Sequence, residues 1–189
     1  MATTLVPVTH HKFTADEYCR MAELGILAPN ARVELIEGDI VDMPPIGRGH
    51  VSCVARLTHL CVAGLGNRAV VLVQSSIRLA EYFEPEPDIV VLSPRDDFYK
   101  SKDAGSEDTL LVIEVADTSL RYDRDVKVPL YARAGIPEVW LVDLQARRIT
   151  IYRDPSPTGY ARVREVSGDE ELSPLAFPDF ALTAARILG

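Results

Sequence analysis

Two acidic residues and a lysine lie in or beside segments that the sequence predicts to be buried. Asp88 precedes the apolar run Ile89–Leu92, and Glu114 lies within a second apolar run, Leu110–Val115. Continuous apolar runs of this length are typical of strands buried on both faces. A carboxylate in such a strand is costly to desolvate unless it is paired, hydrogen-bonded or bound to a metal. Glu114 therefore needs a partner, and Asp88 and Lys127 are the candidates.

These three side chains together are suited to phosphodiester hydrolysis. Two carboxylates from neighbouring strands can hold a hard divalent cation through their oxygens. A nearby lysine can orient or deprotonate a water and offset the charge of a phosphate. We therefore expect Asp88 and Glu114 to converge on one Mg²⁺ or Mn²⁺ ion. Lys127 would position the attacking water or stabilise the charge of the transition state.

The order of these residues resembles the PD-(D/E)xK nuclease superfamily. Pro87 and Asp88 come first, then a hydrophobic strand carrying Glu114, and then a lysine. In that superfamily the lysine stands two residues after the glutamate, a position that Ala116 occupies here. We expect Lys127 to supply the missing function, which requires its amine to lie within a few ångströms of Glu114.

A larger part of the chain, residues 13–153, resembles the Uma family of restriction-type endonucleases. The matching segments, in chain order, are Arg32–Gly38, Met43–Pro45 with His50, Pro87–Asp88, Ile113–Val115, Tyr122–Asp123 with Lys127 and Tyr131, and Gly135–Asp143. The resemblance implies a restriction-endonuclease-like α/β fold, with a mixed central β-sheet flanked by helices. It also implies Mg²⁺ or Mn²⁺ as the cofactor and DNA as the substrate.

Four further residues are candidates for the site. Glu34 is either a third acidic group directed at the site, as the superfamily resemblance implies, or a surface carboxylate on a strand. His50 is either a phosphate ligand at a helix N-terminus or a cap or surface residue. Arg121 and Arg124 are candidates for nucleic-acid binding, because they cluster with Lys127 near the predicted site.

The first half of the chain shows local signals for several elements. Thr14 and Glu17 have the spacing of a capping box, which predicts a helix from Ala15 to Leu24. Alternating runs on either side of Glu37–Gly38 predict a tight hairpin, with Glu37 in solvent. The next elements are a helix over His50–Leu65 ended by Gly64 and Gly66, strands over Ala69–Val73 and Ser76–Leu79, and a solvated acidic turn over Glu81–Glu86.

The second half continues with a polar loop over Ser93–Asp108. Pro129 predicts that the helix carrying Lys127 either begins close to Val126 or is kinked. Gly135 ends that helix. The remaining segments predict strands over Glu138–Asp143, Arg148–Arg153, Tyr160–Val166 and Glu171–Phe180. We expect residues 1–12 to form a flexible leader and residues 13–189 a single domain.

Composition limits the possible partners. The net charge of −8 and the pI near 5.0 argue against broad nonspecific binding of nucleic acid, which depends on lysine and arginine. Three cysteines without metal-ligand spacing indicate structural thiols in a reducing compartment. No apolar run is long enough to span a membrane, and no secretory signal is recognisable. We therefore expect a cytoplasmic protein.

Two other functions are compatible with the same residues. The first is a noncatalytic module that binds nucleic acid or protein, in which the lysine has drifted away from its usual position. The second is a metal-dependent hydrolase of a small phosphorylated substrate, which suits the acidic pI. For an endonuclease that cuts both strands of DNA we expect a homodimer. Exposed apolar edges of the hairpin between Trp140 and Tyr152 would form its two-fold contact.

Overall fold

A computed structural model describes residues 9–189, which form five α-helices and eleven strands. The helices are α1 (Ala15–Glu23), α2 (Arg48–Leu65), α3 (Leu120–Tyr122), α4 (Val128–Arg133) and α5 (Ala184–Leu188). The strands are β1 (Val33–Ile36), β2 (Asp39–Asp42), β3 (Val70–Val73), β4 (Phe83–Glu84), β5 (Ile89–Leu92), β6 (Thr109–Ala116), β7 (Glu138–Asp143), β8 (Arg148–Ser156), β9 (Gly159–Ser167), β10 (Glu171–Leu172) and β11 (Leu182–Thr183).

The central sheet has six strands in the order β3–β5–β6–β7–β8–β9. β6 and β7 are parallel, and the other neighbouring pairs are antiparallel. Parallel strands require a crossover connection, which here consists of α3, α4 and the turn between them. The predicted fold class, a mixed central sheet flanked by helices, is confirmed.

Each face of the sheet is covered by an apolar layer. One layer contains Leu57 and Leu65 of α2 and Ile187 of α5, packed against alternate residues of β5 and β6. The other contains Phe83 of β4 and Tyr131 of α4, packed against the intervening strand residues. Because β5 and β6 are covered on both faces, their sequences are continuously apolar rather than alternating.

The first elements agree closely with the sequence-based predictions. Thr14 and Glu17 form the capping box at the start of α1. β1 and β2 form the hairpin, in which Glu37 and Gly38 have φ angles of 50° and 79°. Glu37 is exposed and pairs with Arg133. The predicted solvent-exposed turn is confirmed.

One prediction in the middle of the chain is confirmed and another is wrong. Helix α2 ends at Leu65, as predicted: Gly64 lies in its last turn, where the missing side chain leaves room for the ring of Phe180, and Gly66 follows as the C-cap with a φ of 55°. Residues 76–79 do not form a strand. Instead, β4 pairs with β1 from within the acidic segment, and Glu84 is buried beside Arg78 rather than solvated.

The helical segment after β6 contains a π-helical turn, Asp123–Lys127, between α3 and α4. Pro129 lies in the first turn of α4, where its missing N–H costs no intrahelical hydrogen bond. The wider turn before it also avoids the clash that a proline ring makes with the carbonyl four residues earlier in a regular helix. The expected irregularity at Pro129 is therefore confirmed. π-turns of this kind are frequent at functional sites.

The remaining predictions concern loops and termini. Residues 93–108 form the predicted loop, and Gly135, with a φ of 79°, follows the end of α4. Only Glu171–Leu172 of the last predicted strand pairs, with β11. Of the predicted leader, residues 1–12, the first eight lie outside the described residues. Lys12, at its end, pairs with Asp39. Among residues 9–189, no helix has the length and hydropathy that crossing a membrane requires.

Candidate functional site

A cleft of about 330 Å³ opens at the end of the sheet where β5 begins and β6 ends. Its lining is rich in carboxylates: Glu34, Asp42, Glu86, Asp88, Glu114, Asp117 and Asp123. The lining also contains two cationic side chains, Arg32 and Lys127, and the imidazole of His50. The cleft therefore has a negative electrostatic potential that attracts cations.

Asp88 immediately precedes β5. In the antiparallel β5–β6 pair Ile89 faces Ile113, so Asp88, one residue before Ile89, lies opposite Glu114. Its Oδ2 accepts a hydrogen bond from the backbone N–H of Val115 at 2.8 Å. Residues directly opposite one another in an antiparallel pair point to the same face of the sheet. Asp88 and Glu114 accordingly line the same cleft, as predicted.

Glu114, Lys127 and Glu34 form a buried ion cluster. The Nζ atom of Lys127 lies 2.7 Å from Oε1 of Glu114 and 3.1 Å from Oε2 of Glu34. The lysine and glutamate side chains are only 3–4% exposed. The expected proximity of Lys127 to Glu114 is therefore observed. Of the two interpretations of Glu34, the position inside the cleft is correct and the surface position is wrong.

The pKa values of Lys127 and Glu114 depend both on their burial and on the neighbouring charges of the cluster. Burial alone would lower the pKa of Lys127, but Glu114 and Glu34 outweigh this effect and raise that pKa above its usual range. The lysine therefore remains an ammonium ion. Burial raises the pKa of Glu114 to about 8, against the opposing effect of Lys127.

The site contains residues that the sequence analysis did not single out as functional. Asp123 lies in the π-turn, is buried, and accepts a hydrogen bond from the hydroxyl of Ser119. Burial raises the pKa of Asp123 and also raises that of Tyr122, to about 12. The Tyr122 hydroxyl is buried and has no hydrogen-bond partner among the described residues. The spacing of Asp123 and Lys127 was the available signal, because residues four apart lie on one face of a helix.

The predicted nucleic-acid-binding residues have different positions. His50 lies in the first turn of α2, and its Nε2 is 3.0 Å from the carboxylate of Asp88. Its contact in this structure is with that carboxylate. Arg121 and Arg124 are exposed and do not line the cleft, and Arg124 pairs with Asp125. The arginine that lines the cleft is Arg32, whose guanidinium donates to the carbonyl of Pro44.

The donor set limits the kind of metal centre that the cleft can form. Among residues 9–189, no three or more His, Cys, Asp and Glu side chains converge in a way that would enclose a metal ion. The two carboxylates of Asp88 and Glu114 still suit Mg²⁺. This ion is usually bound by one or two carboxylates, with waters and substrate phosphates completing its shell.

Comparison with known proteins identifies the family. A sequence model of the Uma2 family, described as "Putative restriction endonuclease", matches residues 15–185. The chain belongs to the Uma2 family. No curated protein matches it.

A crystal structure from Anabaena variabilis ATCC 29413 has the same fold as this Uma2 chain. It is described as a "putative nuclease belonging to DUF820". Its TM-score is 0.70, with 17% sequence identity over 93% of this chain and 97% of the other. At this identity the similarity concerns the fold alone.

Proposed function

We propose that this Uma2 protein is a metal-dependent endonuclease that hydrolyses phosphodiester bonds in DNA. One observation carries the proposal: Asp88 and Glu114, on adjacent strands, line the same cleft, and the ammonium of Lys127 lies 2.7 Å from Glu114. The description of the family as restriction endonucleases supports the reaction class. DNA as the substrate rests on the same description.

Asp88 and Glu114 would hold the Mg²⁺ or Mn²⁺ ion. When bound, such an ion polarises a phosphoryl oxygen and lowers the pKa of a bound water. Lys127 provides a fixed positive charge beside Glu114, and Glu34 holds that ammonium in place from the other side. His50 orients Asp88 through its Nε2. Arg121 and Arg124 are exposed and would contact the phosphate backbone outside the cleft.

The proposal extends to location and assembly. We infer a cytoplasmic location because Cys19, Cys53 and Cys61 are all free thiols, as expected of a reducing compartment. We also infer a homodimer, because cutting both strands of a duplex requires two clefts.

The test is metal binding and DNA cleavage by the wild type and the Asp88→Asn variant. We expect Mn²⁺ binding in calorimetry and metal-dependent cleavage of plasmid DNA by the wild type. Asp88→Asn should reduce cleavage by about 100-fold or more, because the ion stabilises the transition state by several kcal/mol. Asp179→Asn, at an exposed carboxylate paired with Arg68, is the matched control and should retain full activity.

The results can also contradict the proposal. If the wild type does not bind Mn²⁺, the proposed metal dependence is wrong. If Asp88→Asn cleaves DNA as well as the wild type, the assignment of the site is wrong. Metal binding without hydrolysis of any phosphodiester would favour the noncatalytic binding module.

The size of the cleft favours a second candidate, hydrolysis of a small phosphorylated substrate. Its volume of about 330 Å³ is within the range of pockets for small ligands, roughly 300–1,000 Å³. The acidic net charge of −8 also suits a small substrate better than a polyanion. This function predicts metal-dependent hydrolysis of p-nitrophenyl phosphate or bis-p-nitrophenyl phosphate, with intact plasmid DNA left uncut.

A further inference from the structure

Tyr131 makes the shortest contact with the carboxylate of Glu114. Its hydroxyl donates a hydrogen bond to Oε1 of Glu114 at 2.5 Å, and its side chain is fully buried. Lys127, four residues earlier on the same helical face, lies 2.7 Å from the same oxygen. Two donors from one helical segment therefore converge on one oxygen of the carboxylate. The proposed metal site would use the other oxygen, Oε2.

The position of this hydroxyl is set by the apolar layer around the ring. Tyr131 packs against Phe83, with ring centroids 5.6 Å apart, within the layer that covers this face of the sheet. Its backbone carbonyl accepts a hydrogen bond from Ile136, just beyond the end of α4. A side chain enclosed in this way keeps one rotamer, because interiors are close-packed. The position of its phenolic oxygen is accordingly fixed relative to β6.

We propose that Tyr131 is a positioning residue that orients Glu114 for binding the divalent cation. The inference rests on the proposed function and assigns Tyr131 no contact with the substrate. Partners of this kind orient metal-binding side chains, and their loss typically lowers metal affinity about 10- to 100-fold. Lys127 alone is a weaker constraint on orientation, because an ammonium on a flexible stem is a point charge without preferred direction.

The chain offers a matched control in Tyr160. Its hydroxyl donates to the backbone carbonyl of Ile136 at 2.8 Å, and its ring packs against Tyr152. Tyr160 does not line the cleft. Replacing either tyrosine with Phe removes one hydroxyl and one hydrogen bond and keeps the shape of the ring. Tyr131→Phe should lose more stability than Tyr160→Phe, because its hydroxyl bonds a buried carboxylate rather than a backbone carbonyl. A change in the metal affinity of the folded protein should be specific to Tyr131.

The experiment measures Mn²⁺ affinity by isothermal titration calorimetry on the wild type, Tyr131→Phe and Tyr160→Phe. We expect the dissociation constant to rise about 10- to 100-fold in Tyr131→Phe and to remain unchanged in Tyr160→Phe. Equal affinity of Tyr131→Phe and the wild type would overturn the inference and leave the proposed metal site intact. Absence of binding to the wild type would overturn the metal site, and the inference with it.

A second measurement uses the wild type alone and does not depend on the folding of a variant. In protein labelled with ¹³C at the tyrosine Cζ atoms, Mg²⁺ should shift the resonance of Tyr131. The reason is that the Glu114 carboxylate, which accepts the hydrogen bond of Tyr131, would donate electron density to the bound Mg²⁺ ion. The resonance of Tyr160 should not move. If calorimetry shows binding and the Tyr131 resonance stays in place, the hydroxyl is not coupled to the metal and the inference is wrong.

Discussion

At the scale of single residues, the site depends on one ammonium shared by two buried carboxylates. Lys127 contacts both Glu34 and Glu114, and all three side chains are almost completely excluded from solvent. Isolated charges are costly to bury, so each member of the cluster depends on the others. The same arrangement places a positive charge at the edge of the cleft and holds it there without reorganisation.

Lys127→Met should therefore impair folding as well as cleavage. The variant leaves Glu34 and Glu114 buried without a cation, and breaking a buried ion pair costs about 3–5 kcal/mol. The measurement is the free energy of unfolding from urea titration at neutral pH. Lys102→Met is the control, because Lys102 is exposed and pairs with the exposed Glu107, and it should change this free energy by less than about 1 kcal/mol.

Two outcomes would contradict this prediction. Unchanged unfolding of Lys127→Met would show that the cluster is not a buried ion pair in solution. A variant that folds and cuts DNA as well as the wild type would show that Lys127 has no part in the reaction.

At the scale of elements, the crossover from β6 to β7 brings the lysine back to the strand that carries its partner. The chain leaves β6 after Ala116, turns at once, and passes through the π-turn, so that Asp123 and Lys127 both face the cleft. On the other side of the cleft, the β1–β2 hairpin contributes Glu34. The short strand β4 holds this hairpin against the sheet, and Glu84 of β4 is buried beside Arg78.

Burial of Glu84 should make stability depend on pH. Burial raises the pKa of Glu84 above its ordinary value of 4.5, and Arg78 offsets this only in part. Because the folded state then holds the proton more tightly than the unfolded chain, the contribution of Glu84 is present below pH 4.5. It is lost as the pH rises through the pKa of the folded state. The stability of the wild type relative to Glu84→Gln should therefore fall as the pH rises from about 4.5 through the pKa of the folded state.

Urea titrations at several pH values within this window test the prediction. Glu81→Gln replaces an exposed carboxylate in the same segment. The difference in unfolding free energy between this variant and the wild type should not change with pH. If the unfolding free energy of the wild type relative to Glu84→Gln stays constant or increases as the pH rises, Glu84 is solvated or firmly paired in solution and the prediction is wrong.

At the scale of the whole molecule, the surface expected to form a dimer is not available. β8, in the hairpin between Trp140 and Tyr152, pairs with β7 on one side and with β9 on the other. Trp140 is fully buried, and its indole N–H donates to Glu138. The edge strand on this side of the central sheet is β9, where Arg162 and Arg164 are exposed. Charged residues on an edge strand discourage pairing with another chain. The prediction of a contact through that hairpin is therefore wrong.

The homodimer itself stays a prediction and requires another surface. Sedimentation equilibrium at micromolar concentration should show a species of twice 20.8 kDa. A single species of 20.8 kDa, with or without DNA, would exclude the dimer. Cleavage would then proceed by nicks in single strands, which agarose electrophoresis detects as relaxed plasmid before any linear product.

Local sequence signals were sufficient to predict the two central strands, the hairpin, the first helix and the pair Asp88 and Glu114. These features depend on local signals: apolar runs, a capping box, a turn glycine, and carboxylates inside otherwise apolar strands. The distance between Lys127 and Glu114 could be anticipated only through the family resemblance, because their separation along the chain carries no information about a crossover.

Which charges are buried depends on tertiary contacts and could not be predicted from local signals. A polar segment such as Glu81–Glu86 indicates solvent exposure, yet β4 is buried there because β1 needs a pairing partner. The hydroxyl of Tyr131 reaches Glu114 through the packing of α4 on the sheet. Each of these depends on contacts between segments distant in sequence, which neither propensity nor spacing encodes.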